Sequence, residues 1–363
     1  MNALPFDYPC EKDMWDILKE EIRPIVVYGM GNGADKLFRR FEKYGIEVSD
    51  VFASDGFVRG HYYREYRVLS FSEIKDKYSD FVIVLSFASN RAEVLEMLLD
   101  INSHFDLIIP DMPVAGEDEY FDREFFNNHY DEITEAYNSL SDQLSKSIFS
   151  NIVKYKLSGK MEYLLSAVSS KEDKYSLLLN RPVRSFVDVG AYNGDTLREA
   201  VEIFDSLEQV YAIEPDAKNF KKLKKSAENI GHIDIKLINA AAWCSNCTGN
   251  FSLSGNRNST VSATASYENK NVEIQMISID SVVDTRIDYI KYDVEGAEFE
   301  ALVGSEETIS RYRPMLLVSL YHRSKDIFFL INTLRKKYSD YSFFVRRIPC
   351  VPAWEIELIM IPD

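Results

Sequence analysis

The stretch Ser185 to Asp195, SFVDVGAYNGD, holds residue types that could grip a ligand. An apolar run through Phe186, Val187 and Val189 carries Asp188, then breaks at Gly190-Ala191-Tyr192-Asn193-Gly194. A helical pattern opens directly afterwards at Thr196-Leu197-Arg198-Glu199-Ala200. A strand, a glycine turn and a helix start bring backbone amides close to a ligand at a helix N-terminus. Asp188 or Asp195 can hold an ammonium. Further on, Tyr211-Ala212-Ile213-Glu214-Pro215 ends a second apolar run in an acid. A carboxylate at that place can accept hydrogen bonds from both hydroxyls of a ribose, so a nucleoside ligand is expected.

The elements that must position these residues alternate between strand and helix. Strands are expected at 185–189, 209–213, 234–238, 287–292 and 315–320, with helices at 196–204, 220–230 and 325–337. The fourth of these strands ends in Asp293-Val-Glu295-Gly-Ala-Glu298 and the fifth in Tyr321-His322. Two β runs, 341–348 and 354–361, are joined closely enough for a hairpin, which makes the last strand antiparallel. After the third strand, Asn239-Ala240-Ala241 offers small residues and one amide, which suits a flat base. Additional strands at 248–253 and 272–277 flank polar loops at 255–259 and 266–270, a candidate substrate gate.

The N-terminal region repeats the alternation on a smaller scale. Strands are expected at 24–28, 46–52, 81–86 and 105–110, with helices at 34–44, 72–78 and 91–100. That pattern implies a small parallel sheet with helices on both faces. Gly29-Met-Gly31-Asn-Gly33-Ala34 fits the G-x-G-x-x-A turn of dinucleotide sites. Asp50 and Asp55 lie near the distance of the accompanying acid, yet the region is about half of a dinucleotide-binding domain. A structural turn or a small phosphate-containing ligand is the expectation there, with a nucleotide-dependent oxidoreductase as the rival reading. From Glu117 to about Lys171 the pattern is helical, with Ile133, Ala136, Tyr137, Leu140, Leu144, Ile148, Ile152 and Tyr155 at helical steps. This segment reads as a connector between two sheets, or as a lid or a homodimer face. The expected division is therefore a small Rossmann-like α/β domain at 1–115, a helical connector at 116–178 and a second α/β domain at 179–363.

Bulk composition narrows the class. The chain has 363 residues, 46% hydrophobic and 28% charged, as in a globular protein of two domains. A formal charge of −16 disfavours general nucleic-acid binding, because nothing in the total offsets phosphate repulsion. No apolar run approaches the ~20 residues that span a bilayer. The acidic N-terminus lacks a signal-like apolar core, so a cytoplasmic location is expected. Cys10, Cys244, Cys247 and Cys350 are too few for a disulfide framework, and Cys244-Ser-Asn-Cys247 reads as a turn.

FVDVGAYNGDT, VYAIEPDAKNF, Asn239-Ala-Ala, Ser278–Val283 (SIDSVV), Ile290–Glu298 (IKYDVEGAE) and the strand ending Tyr321-His322 occur in one order. Together they resemble the FkbM family of S-adenosylmethionine-dependent methyltransferases over roughly 180–363, and the N-terminal module resembles the longer two-domain members. The resemblance implies a seven-stranded class I methyltransferase sheet with a terminal hairpin, and transfer of methyl usually to oxygen. It implies that Asp188, Gly190, Ala191, Asn193, Gly194 and Asp195 surround the methionine part of the cofactor. Glu214 with Pro215 would take the ribose, Asn239 with Ala240 and Ala241 the adenine, and Asp293 would border the same site.

In the methyltransferase order the fourth and fifth strands are neighbours, about 5 Å apart, so Asp293 and His322 can meet over the methyl group. Methyl transfer is an in-line displacement, and a base need only remove the acceptor's proton. His322 is the expected base and Asp293 its orienter. Glu295, Glu298 and Tyr321 are expected near substrate. No metal is expected, since the acids can act unaided; the alternative is a divalent cation on Asp293, Glu295 and His322. The expected acceptor is a small molecule, such as a sugar or a nucleotide-linked glycan precursor, without a nucleic-acid or membrane partner.

Overall fold

The computed structural model describes residues 6, 11–58, 60–116, 119–253, 261–262 and 270–363, with backbone alone at 250–253, 261–262 and 270–272. The 255–259 loop and residues 266–269, read above as a substrate gate, lie outside the described residues, as does Cys10.

Seven strands build the larger sheet: β1 (Ser185–Val189), β2 (Gln209–Ile213), β3 (Asp234–Ile238), β4 (Tyr289–Tyr292), β5 (Met315–Ser319), β6 (Tyr341–Arg347) and β7 (Ile356–Pro362). Their order is β3-β2-β1-β4-β5-β7-β6. The first five are mutually parallel, and β7 inserts antiparallel between β5 and β6. This is the class I methyltransferase arrangement. Alternation within each strand divides its side chains between two cores. Val187, Val189, Tyr211, Ile290, Tyr292, Leu316 and Val318 enter one. Phe186, Val210, Ala212, Tyr289, Met315 and Leu317 enter the other. Both faces are therefore apolar and must be covered by helices.

Both connecting helices begin earlier than the sequence pattern suggested, at Asp195 rather than Thr196 and at Ala217 rather than Phe220. Gly194, with φ of 83°, precedes the helix Asp195–Ile203. Asp216 caps the helix Ala217–Glu228 by accepting from the amides of Lys218 and Asn219. A smaller mixed sheet pairs Cys247–Leu253 antiparallel with Lys270–Ile277 and with Val261–Ser262, and Ala241–Ala242 parallel with Lys270–Ile277. Cys244 and Cys247 are exposed, and Cys350 is buried.

The N-terminal sheet runs Leu69–Ser70, Asp50–Ala53, Ile25–Tyr28, Val82–Leu85, Asp106–Ile108, all parallel. It has one strand more than the sequence pattern suggested, because two residues are too few to display a period. The helix after Gly29-x-Gly31 begins at Asn32 rather than at Ala34. Two of the turn's glycines, Gly29 and Gly33, are closely packed. A Cβ on Gly33 would lie 2.0 Å from the Ser86 carbonyl oxygen, and one on Gly29 would lie 2.7 Å from the Phe87 ring.

The helical segment packs on the edge of the larger sheet. Ser145, in the helix Gln143–Ser158, accepts the Val345 amide of β6 at 2.9 Å, and Arg346 pairs with Asp142 at 2.6 Å. Ile148, Phe149 and Ile152 share one core with Val26 and Ile83 of the N-terminal sheet and Val345 of β6. Buried Lys36 donates to the carbonyls of Pro113 and Val114, which fixes the segment leading to Ala115. The amide of Ala115 in turn donates to the His322 carbonyl at 2.8 Å.

Candidate active site

Parallel strands present their carboxyl ends on one edge, and ligands gather beyond it. A cleft of about 660 Å³ lies there, and Gly190, Asp195, Glu214, Pro215, Ala241, Asp293, Glu295 and Tyr321 are among its walls. The strand ends thus bring these eight expected residues together. Asp188, Ala191, Asn193, Gly194, Asn239, Ala240, Glu298 and His322 stand outside this lining, in or behind the same strand ends.

Gly190 has φ of 92°, and a Cβ there would fall 1.9 Å from the Asp293 carbonyl oxygen. The turn after β1 therefore presses against the end of β4, and glycine is required. Gly190 and Ala191 both donate to the Ile213 carbonyl, at 3.0 and 2.9 Å, which ties the turn to the end of β2. Glu214 is buried and accepts the amides of Tyr192 at 2.9 Å and Asp216 at 2.8 Å. Burial pushes its carboxyl up to about 7 despite those two amides.

Asp188 is fully buried beneath the turn, and neither carboxylate oxygen has a hydrogen-bond partner. Burial raises its pKa to about 7, against the opposing pull of Lys291. Lys291 stands opposite Asp188 in the β1–β4 register. Its ammonium donates to Thr196 Oγ1 at 2.9 Å and meets Asp293 at 3.3 Å. Burial lowers the lysine pKa, but Asp293, Asp188 and Asp195 outweigh it and the net shift is upward. For Asp293 the opposite balance holds: burial raises its pKa, and Lys291 with His322 brings it below the ordinary value.

His322 is completely buried at the end of β5. Its Nδ1 lies 2.9 Å from Glu298, off the line of a straight hydrogen bond, and its Nε2 lies 3.5 Å from both Asp293 and Glu295. Burial lowers its pKa, yet Glu298, Glu295 and Asp293 together push it up to about 10. In that state the ring is an imidazolium, which donates and cannot accept a proton. The expected role as base therefore does not match its setting. Glu298 caps its own turn by accepting the Val294 amide at 2.9 Å. Tyr321 donates to Asp293 at 3.3 Å.

Asn239 is exposed, and its amide nitrogen donates to the carbonyls of Glu214 at 2.8 Å and Pro215 at 3.1 Å. It pins the end of β2 rather than turning that amide to a base; Ala241 and Ala242 supply the wall there.

Sequence reasoning missed several wall residues. Lys171, Lys174 and Tyr175 come from the helix Lys171–Leu178 of the connector, and Glu355 and Glu357 come from the end of the terminal hairpin. Lys174 and Glu357 form a buried ion pair at 2.8 Å. Tyr192, Glu295 and Glu355 each line the cleft with positive φ, at 46°, 54° and 58°. Left-handed backbone at non-glycine residues costs about 1–3 kcal/mol each and clusters at functional sites. A positive φ leaves no trace in a single sequence.

Residues 188–343 match the Methyltransferase FkbM domain. Among solved structures, the methyltransferase FkbM of Methylobacillus flagellatus KT is similar at TM-score 0.69 and 20% identity, covering 93% of this chain and 90% of that one. A rRNA methylase of Streptococcus thermophilus has 14% identity over 54% of this chain and 96% of its own, at TM-score 0.36. No curated protein matches the sequence. Residues 188–343 of the chain thus carry a Methyltransferase FkbM domain.

Proposed function

We propose that this methyltransferase takes its methyl group from S-adenosylmethionine and delivers it to a hydroxyl of a small, polar acceptor. The observation that carries the reading is the pair of buried acids at neighbouring strand ends. Glu214 reaches the cleft at the tip of β2, and Asp188 has two orphaned oxygens beneath the turn. Buried unsatisfied carboxylates are costly and call for a donor-rich partner. Glu214 would take the ribose hydroxyls and Asp195 with the Gly190–Gly194 turn the amino-acid end, while Ala241 and Ala242 leave room for a flat base. The cofactor supplies an electrophilic methyl group on sulfur.

The chain's own residues then position the acceptor and receive its proton. His322, protonated, steadies the carboxylates of Asp293 and Glu295, both of which line the cleft. Lys291 keeps Asp293 ionised, and Glu295 is the carboxylate we assign to take the acceptor's proton. The outer wall mixes Lys171, Lys174, Tyr175, Glu199 and Glu355, which suits a hydroxyl-rich molecule such as a sugar or a nucleotide-linked glycan precursor. The test is incubation with methyl-labelled S-adenosylmethionine and a panel of sugars, sugar nucleotides and amines. Label in an O-methyl product supports the proposal; label confined to amines, or none despite cofactor binding, contradicts it.

A further inference from the structure

We propose that Asp293, Glu298 and His322 form a binding site for one divalent first-row cation at the joined ends of β4 and β5. One potential ligand atom from each lies within 4.8 Å of the others. Oxygen and nitrogen ligands at about 2.1 Å from a common ion stand about 3.0–4.2 Å apart, so small side-chain adjustments close the set. A second observation points to an occupant. Nε2 of His322 and Oε2 of Glu298 are buried without a hydrogen-bond partner, in residues 0% and 1% exposed. Orphaned buried atoms of this kind are rare, and a bound ion is one of their accepted explanations.

Charge favours the same occupant. Glu295 approaches His322 Nε2 at 3.5 Å, and buried Asp326, whose carboxylate accepts the Arg323 amide at 2.8 Å, lies on the next turn. Three carboxylates, those of Asp293, Glu295 and Glu298, thus surround one imidazole, with Lys291 and the Arg323 side chain as the neighbouring cations. Arg323 spends its Nε on the Gly296 carbonyl at 2.8 Å. Binding would displace the proton that the His322 ring carries in the metal-free protein, and the mixed imidazole and carboxylate donors then suit Mn²⁺, Fe²⁺ or Zn²⁺. Such a cation, next to the cleft wall at Asp293, would polarise an acceptor hydroxyl. The site rests on the β4 and β5 ends alone and stands whether or not the methyl donor is S-adenosylmethionine.

The experiment is a titration of the purified full chain with Mn²⁺, followed by the free-ion electron paramagnetic resonance signal, without cofactor. One site per chain is expected, displaced by Zn²⁺ and weakened at least about tenfold in Asp293→Asn and in Glu298→Gln. Asp293 is partly exposed, so Asp293→Asn carries the test if Glu298→Gln fails to fold; circular dichroism reads folding in each. Absence of Mn²⁺ and Zn²⁺ uptake by the folded chain overturns the site. Uptake with unchanged affinity in folded Asp293→Asn, as from scattered surface acids, overturns it too. A parallel titration with S-adenosylmethionine reports separately on the proposed function.

Discussion

Glu214, the first residue beyond β2, accepts the backbone amide of Tyr192 at 2.9 Å. The acid that would meet a ribose therefore also holds the glycine turn after β1 in place. Glu214→Gln keeps one amide acceptor and loses the charge. Cofactor affinity should fall about 10- to 100-fold, the range for losing charge-assisted hydrogen bonds. Calorimetric titration of the variant against the parent chain checks this, with circular dichroism to show that the fold remains.

Because burial holds Glu214 at about 7, above its ordinary 4.5, the proton is bound more tightly in the folded protein. The sign follows directly: the contribution of Glu214 to stability falls as pH rises from about 4.5 to about 7. Asp188 acts in the same direction from 3.8 to about 7. Cofactor binding needs the ionised Glu214, so affinity should rise about fivefold to tenfold between pH 6 and pH 8 and then level off. Titration calorimetry across that interval gives the curve; flat affinity would remove the ionised acid from the account.

The approach of the β1 turn to β4 gives a steric prediction. Gly190→Ala places a methyl 1.9 Å from the Asp293 carbonyl at a φ of 92°. It should cost about 1–3 kcal/mol from backbone conformation alone, with the clash added. Gly231→Ala meets nothing within 4 Å and should leave the melting temperature within about a degree. Thermal unfolding of the two variants side by side reads the difference.

The connector is tied to the larger sheet by Lys174 and Glu357, each 8% exposed in its side chain. Lys174→Met strands a buried carboxylate and should destabilise by about 3–5 kcal/mol. The double variant Lys174→Met, Glu357→Leu should recover much of that loss, because it removes the orphaned charge as well. Urea unfolding of the single and double variants tests the pair. Equal stability of all three proteins would mean that the connector is not held there.

The strand ends were legible because each apolar run stops at a residue of a different kind: Gly190 after Val189, Glu214 after Ile213, Asp293 after Tyr292. Lys291 was not legible. Within Ile290–Tyr292 it is a single polar residue in an apolar run, and its place opposite Asp188 appears only with the register of β1 and β4. His322 was legible as a residue at a strand end, but its surroundings were not. Its charge is set by Glu298 and Glu295, which are brought round it by the sharp turn at Glu295 and Gly296, where φ is 54° and 97°. The far wall, from Lys171 to Tyr175 and at Glu355, comes from segments separated by about half the chain. No local period reports such a meeting.

The central claim is a methyl-donor site beyond β1, β2 and β4. Isothermal titration of the full chain with S-adenosylmethionine tests it most directly. The account predicts one site per chain, with binding weakened in Glu214→Gln and the fold unchanged. A folded protein that takes up no S-adenosylmethionine, or binds it equally well in Glu214→Gln, would contradict it.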